Sequence, residues 1–508
     1  MNNIQSGEVS ASLPRRATGA FRVVTECHYG PTKGSESPLA TEGRQRVSPL
    51  SYERRRQQLK KDVGSGVLLF LGNQEVGMNY ADNTYRFRQD SSFLYFFGLD
   101  YAHLAAVIDI DEDREIVFGN ELTIDDIVWT GTQPTLHEKC EQMGIKDSRP
   151  MDALKTYLDQ ARRKGQTIHF LPPYRGDHQV WLWELLGLNP KEQGIQVSQR
   201  MVKAIVRQRI YKDAEEIAII EEAVDVSTRM HLAAYRKVRP GIHEAEVAAA
   251  VEEVACKEGN TLAFPTIATV KGQVLHNHGF IHTLQEGDIF LLDAGAETRM
   301  HYAGDLSSSM PVGERFTERQ ETIYNIHLES FRAAVDMLRP GVPFREAHLA
   351  AATKICEGMK TLGLMRGDPV EAAHIGAYAL FFPCGLGHMM GLDVHNMENL
   401  GEEYVGYNEG EVKSTQFGFK SLRLARPLEP GFVFTVEPGI YFIPELIDKW
   451  QSEGQFRDFI NYDKLAPWRN FTGLRNELDY VITDNGVRQL GTIKKPMTLA
   501  EVYAAKEY

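Results

Sequence analysis

Apolar residues in the first third of the chain come in short runs bounded by Gly, Asn and Asp. GVLLFLGN (66–73), HLAAVIDID (103–111) and REIVFGN (114–120) are the clearest, and this punctuation predicts strands. DALKTYLDQARRKG (152–165) instead spaces its apolar positions by three and four, predicting a helix, and TIHFLPPY (167–174) follows as a strand ending at two prolines. Strands alternating with helices predict an α/β domain over 49–200.

A different pattern opens at KDAEEIAIIEEAVDV. Asp213 is placed to cap a helix, with Glu216 three positions later completing a capping box, and Ile217, Ile220 and Val224 share one helical face. A second domain is therefore expected over 201–508, and it contains a repeat. Arg239-Pro240-Gly241-Ile242 returns as Arg339-Pro340-Gly341-Val342, each between an apolar helix and an alanine-rich one. LQEGDIFLLDAG (284–295) aligns without gaps on LEPGFVFTVEPG (428–439), which sets Asp293 opposite Glu437. The shared order of the two matches argues for an internal duplication, whose halves would pack together and bring those carboxylates face to face.

Composition narrows the function classes. The 508 residues are 43% hydrophobic and 25% charged, an ordinary globular balance, and length alone allows two to four domains. A net charge of -13 speaks against nucleic acid as a partner. No apolar run is long enough to span a membrane. The five cysteines are scattered without CxxC spacing, which suits reduced thiols and a cytoplasmic location. Residues 1–48 are small and polar with several arginines, and are expected to form a flexible extension, an organellar targeting segment being the alternative.

The repeated carboxylates carry the chemistry. Each is followed by another: Asp305 after Asp293 in DAGAETRMHYAGD, and Glu477 after Glu437 in TGLRNELD. Four carboxylates gathered in one cleft repel one another unless they share protons or bind cations. Two divalent ions about 3.5–4 Å apart are the known hydrolytic arrangement. His388, in GLGHMMGLDVH, adds one imidazole. Oxygen-dominated coordination with a single nitrogen favours Mn2+, then Co2+ or Zn2+.

With these motifs in view, residues 213 to about 490 resemble the pita-bread metallopeptidases, the group of aminopeptidase P, prolidase and methionine aminopeptidase. LLDAGAE, YAGDLSSS, GLGHMMGLDVH, FTVEPGIYF and GLRNELD carry the resemblance, in the family's order. YRFRQDSSFLYFFGL (85–99) resembles the α/β domain that precedes the catalytic one in aminopeptidase P and prolidase. The resemblance implies a pita-bread catalytic domain with an internal pseudo-two-fold duplication. It also implies two divalent metal ions held by Asp293, Asp305, His388, Glu437 and Glu477, with Asp305 and Glu477 bridging. His276 and His395 would contact substrate, and Arg475 would orient Glu477 from behind. The implied reaction is hydrolysis of Xaa-Pro bonds in proline-containing peptides, by a homodimer or higher homo-oligomer.

The chain departs from the family pattern in places. Cys384, placed at the substrate, stands where a histidine is usual, Ser307 where threonine is, and Ser308 where arginine is. Three readings follow: Xaa-Pro aminopeptidase, Xaa-Pro dipeptidase, or a non-catalytic binding protein of the same fold. Phe96, Phe97, Tyr302 and Phe442 are aromatic candidates for recognising the proline ring.

Overall fold

The computed structural model describes residues 46–507. The expected extension thus falls outside the described residues up to residue 45. Val47 is already buried, and Ser48 N donates to Glu215 Oε2 at 3.0 Å, so packing against the rest of the chain begins before residue 49.

The amino-terminal part is built on a mixed five-stranded sheet. Its order is Asp147–Arg149, Arg114–Phe118, Ala105–Asp109, Val67–Leu71 and Ile168–His169. Ala105–Asp109 runs antiparallel to both neighbours, whereas the two outer strands pair in parallel. The last strand is only two residues long, shorter than the run TIHFLPPY predicts. Pro172 and Pro173 have no N–H to extend the ladder. The predicted helix forms over Ala153–Arg163, burying Leu154, Leu158 and Ala161.

The long helix Ala214–Lys237 starts as expected. Asp213 accepts from Glu216 N at 3.0 Å, and Glu216 Oε2 accepts from Asp213 N. The duplication is then visible in hydrogen bonds. Gly241 N donates to Leu284 O, and Gly341 N to Leu428 O, at 2.9 and 2.8 Å. Leu284 N answers to Ile242 O and Leu428 N to Val342 O. Both glycines have positive φ, +83° and +84°, so each turns the chain into the helix that follows, Glu244–Lys257 or Phe344–Thr361. Each copy then presents a hairpin. Ile289–Asp293 pairs antiparallel with Ser307–Pro311, and Val433–Val436 with Leu478–Val481 of the strand Leu478–Thr483. The four carboxylates sit at the ends of these strands or in the turns beside them.

The two parts of the chain meet through charge. Asp90 caps the helix Ser91–Phe97, and the preceding Arg88 reaches Glu297 (3.3 Å) and Leu392 O (2.6 Å). Ser91 Oγ donates to Asp393, Arg209 Nη1 donates to Ser92 Oγ at 3.1 Å, and His301 bridges Asp100 and Glu297. These contacts press the first part against the segment that carries His395.

Candidate active site

Local sequence explains how each carboxylate arrives. The strand Ile289–Asp293 is apolar up to its last residue, so Asp293 emerges where the buried run ends. Ser307 lies directly opposite it in the antiparallel register, which sets Asp305 two residues away on the returning chain. Gly295 permits that tight return, because a Cβ there would collide with Gly304 O. In the other copy, Glu437 follows Val436 at a strand end, and Glu477 precedes the partner strand at Leu478. His388 is delivered by GLGH, which lies along the strand Val433–Val436. Thr435 N donates to His388 O at 3.0 Å and Glu437 N to Leu386 O at 2.7 Å. A Cβ on Gly387 would strike Thr435 O, so only glycine allows this approach.

All five expected ligands line one cleft of ≈ 260 Å³, together with His276, His395, Arg475 and Cys384. Ligand atoms of Asp305, His388 and Glu477 lie within 4.8 Å of one another. His388 Nδ1 is taken up by Met389 O (3.1 Å), and Nε2 faces Asp305 Oδ2 at 3.3 Å and Glu437 Oε1 at 3.7 Å. The His395 ring lies edge-on to it, 4.2 Å between centroids, with Nδ1 held by Glu398 Oε2 at 2.6 Å.

The electrostatics of this cluster are those of a site short of positive charge. Burial, then the nearby Asp293, raises the Asp305 carboxyl to about 8. Burial and the other carboxylates push Glu477 well above its ordinary value, and burial also raises Glu437. Asp293 Oδ1 and Glu477 Oε1 are buried and have no hydrogen-bond partner. Arg475, itself buried, cannot satisfy them: it donates Nη2 to Asp293 Oδ2 (2.6 Å), Nε to Ser307 Oγ (2.8 Å) and Nη1 to Tyr441 (2.7 Å). Orphaned oxygens beside three mutually repelling carboxyls and an imidazole fit divalent cations, which would supply both the charge and the missing partners. The donor set is four carboxylates and one nitrogen, as hard or borderline ions prefer.

Several residues of this cleft were not singled out from the sequence. Arg423 lines it, paired with Glu398 and Glu402 at 3.2 and 3.5 Å. Phe264, Pro265 and Val394 supply its apolar wall. Glu244, fully buried, accepts from Val270 N, Ile281 N and His282 N, each at 2.9 Å, and from Thr269 Oγ1 at 3.0 Å. It thereby pins both ends of the loop that carries His276. The expected aromatic contacts are a correction: Phe96, Phe97, Tyr302 and Phe442 are core residues, at most 2% exposed, and none lines the cleft. Cys384 does line it, and burial lifts its thiol to about 12, so the side chain there is neutral and a weak donor.

Most of the chain is similar to known proteins. A family model described as Metallopeptidase family M24 matches residues 218–484, and one described as Aminopeptidase P, N-terminal domain, matches residues 52–169. The chain is 29% identical to human Xaa-Pro dipeptidase, over 90% of this chain and 92% of that one. It is 27% identical to the Xaa-Pro aminopeptidase of Escherichia coli strain K12, over 90% and 98%. The structure of Pseudomonas aeruginosa aminopeptidase PepP superposes with a TM-score of 0.75 at 26% identity, covering 91% of this chain and 99% of that chain. The match over residues 218–484 shows that this chain belongs to metallopeptidase family M24.

Proposed function

We propose that the protein is a dinuclear metal-dependent Xaa-Pro aminopeptidase, releasing the first residue from peptides with proline second. The observation that carries this reading is the cleft in which four carboxylates, His388 and three further histidines, His276, His278 and His395, converge. In this reading Asp293, Asp305, His388, Glu437 and Glu477 would hold the divalent ions. Divalent ions held there would acidify water and polarise the scissile carbonyl.

The chain's own residues do the rest. Arg475 holds Asp293 and, through Ser307, Glu477 in fixed orientations. His276 and His395 offer ring nitrogens to the substrate and to the oxygen charge that develops during attack. An Xaa-Pro bond carries no amide N–H, so recognition rests on ring shape against Phe264, Pro265 and Val394. The chain divides near residue 200, and the residues that line the cleft all come from the second part. Manganese as the native ion, a cytoplasmic location and a homodimer or higher homo-oligomer belong to the same proposal. Among the described residues no helix is long and apolar enough to cross a membrane.

One observation favours a second reading, Xaa-Pro dipeptidase. Arg423 puts a guanidinium in the cleft, and a carboxylate adjoins the scissile proline only when the substrate ends there. Hydrolysis of Gly-Pro and Gly-Pro-Ala, with and without Mn2+, separates the readings. Release of glycine from both peptides supports the aminopeptidase, and cleavage of Gly-Pro alone supports the dipeptidase. Cleavage of neither by metal-loaded protein defeats both.

A further inference from the structure

A buried lysine that belongs to none of the motifs sits directly behind this site. Lys495 lies beyond residue 484, where the family match ends, and is 1% exposed. Its ammonium donates to Ser307 O at 2.7 Å and to Ser308 Oγ at 3.0 Å, across 188 and 187 residues of sequence. Burial pulls its ammonium down to about 7, and the nearby Glu477 and Asp479 carboxylates oppose that shift. A lysine is almost never buried this fully unless its charge is used.

Ser307 is the point through which that donor reaches the site. Its peptide oxygen accepts from Glu477 N at 3.0 Å as well as from Lys495. Its hydroxyl donates to Glu477 Oε2 at 2.8 Å and accepts from Arg475 Nε, also at 2.8 Å. In the strand register it stands opposite Asp293. One serine therefore touches the chain of Glu477 twice, and its own position is fixed from behind by Lys495. Ser308 extends the arrangement: its hydroxyl also contacts His231 Nδ1 at 2.8 Å, and His231 Nε2 meets Ala294 O at 3.0 Å. Lys495 thus braces the residues next to carboxylates from both halves of the duplication.

We propose that Lys495 is a positioning residue for the metal centre: it clamps the Ser307 peptide and through it sets the Glu477 carboxylate that would help hold the metal. The inference rests on the metal reading of the cleft. It predicts that metal affinity, and not peptide affinity, carries the cost of losing this lysine.

The test is calorimetric titration of metal-free protein with Mn2+, alongside thermal melting and steady-state kinetics on Gly-Pro-Ala. Lys495→Met is expected to weaken Mn2+ binding roughly 10- to 100-fold, the usual cost of removing a group that orients a ligand. KM for the peptide should stay within about twofold, and Lys495→Arg should recover most of the metal affinity. A purely structural lysine would lower the melting temperature of Lys495→Met and leave Mn2+ affinity untouched, which would overturn the proposal. If Lys495→Met shows no cooperative melting, Ser307→Ala reports on the same link: weakened Mn2+ binding supports it and wild-type binding overturns it. Wild-type protein that takes up no Mn2+ defeats the metal reading itself, whereas equal uptake by wild type and Lys495→Met defeats only this proposal.

Discussion

Arg475 Nη2 lies 2.6 Å from Asp293 Oδ2, joining residues 182 positions apart from the two halves of the duplication. The contact fixes one carboxylate oxygen and leaves Oδ1 of the same residue buried without a partner. An arginine fork on one side and an unsatisfied oxygen on the other is what a ligand oriented for a cation requires.

Arg475→Met should therefore reduce kcat/KM about 10- to 100-fold with the fold retained, because Asp293, Ser307 and Tyr441 all lose their donor. Arg475→Lys should recover only part, since an ammonium lacks the planar fork. Kinetics on Gly-Pro-Ala check this; a Met variant within twofold of wild type would contradict it.

The loop carrying His276 depends on Glu244, which collects backbone donors from Val270, Ile281 and His282. Glu244→Gln replaces an acceptor of several N–H groups by one carbonyl, leaving donors buried and unpaired at about 1–3 kcal/mol. The expected result is a loss of activity with Mn2+ affinity unchanged, because no metal ligand lies on that loop. Equal losses in both would mean the loop supports the metal site as well.

Gly295→Ala is expected to be far more damaging than its size suggests. The added methyl would meet Gly304 O, forcing apart the return that holds Asp293 near Asp305. Overpacking of this kind costs about 1–3 kcal/mol. Melting temperature and Mn2+ uptake should fall together, and wild-type uptake would show that the return can relax.

A pH effect is expected where the two parts of the chain meet. His301 sits between Glu297 Oε1 (2.6 Å) and Asp100 Oδ2 (2.7 Å), and Arg88 pairs with the same Glu297. Burial opposes its charge, but the hydrogen bonds to Asp100 and Glu297 outweigh burial and lift the imidazolium from 6.5 to about 9. A raised value in the folded protein means that protonation stabilises the fold fully below the unfolded value. That contribution disappears as pH rises through about 9, and is worth roughly 1–3 kcal/mol. His301→Asn removes the charge and suits the positive φ of 64° at this position. The melting difference between wild type and His301→Asn should be greatest at pH 6 and small by pH 9.5. A difference constant with pH would refute the assignment.

Much of the site was legible in the sequence because the duplication writes it twice. Gly241 and Gly341 mark equivalent turns, and Asp293 and Glu437 end equivalent strands, so local pattern alone set the carboxylates against each other. Asp213 and Glu216 announced their helix for the same reason: a capping box is complete within four residues. The groups that were missed act over long separations. Glu244 meets its loop 25 to 38 residues away, and Lys495 meets Ser307 across 188. Nothing in the residues around either one signals that contact. Arg423 lies just before the repeated segment 428–439, and its place in the cleft depends on Glu398. The aromatic candidates failed for the opposite reason: Phe96 and Phe442 are what a core needs, and composition cannot separate a core ring from a binding ring.

The most direct test is titration of chelator-stripped protein with Mn2+, with hydrolysis of Gly-Pro-Ala followed in the same samples. The account predicts uptake of two equivalents, no hydrolysis before the first addition, and activity that appears as the sites fill. Hydrolysis undiminished in metal-free protein, or no uptake of metal by folded protein, would contradict it.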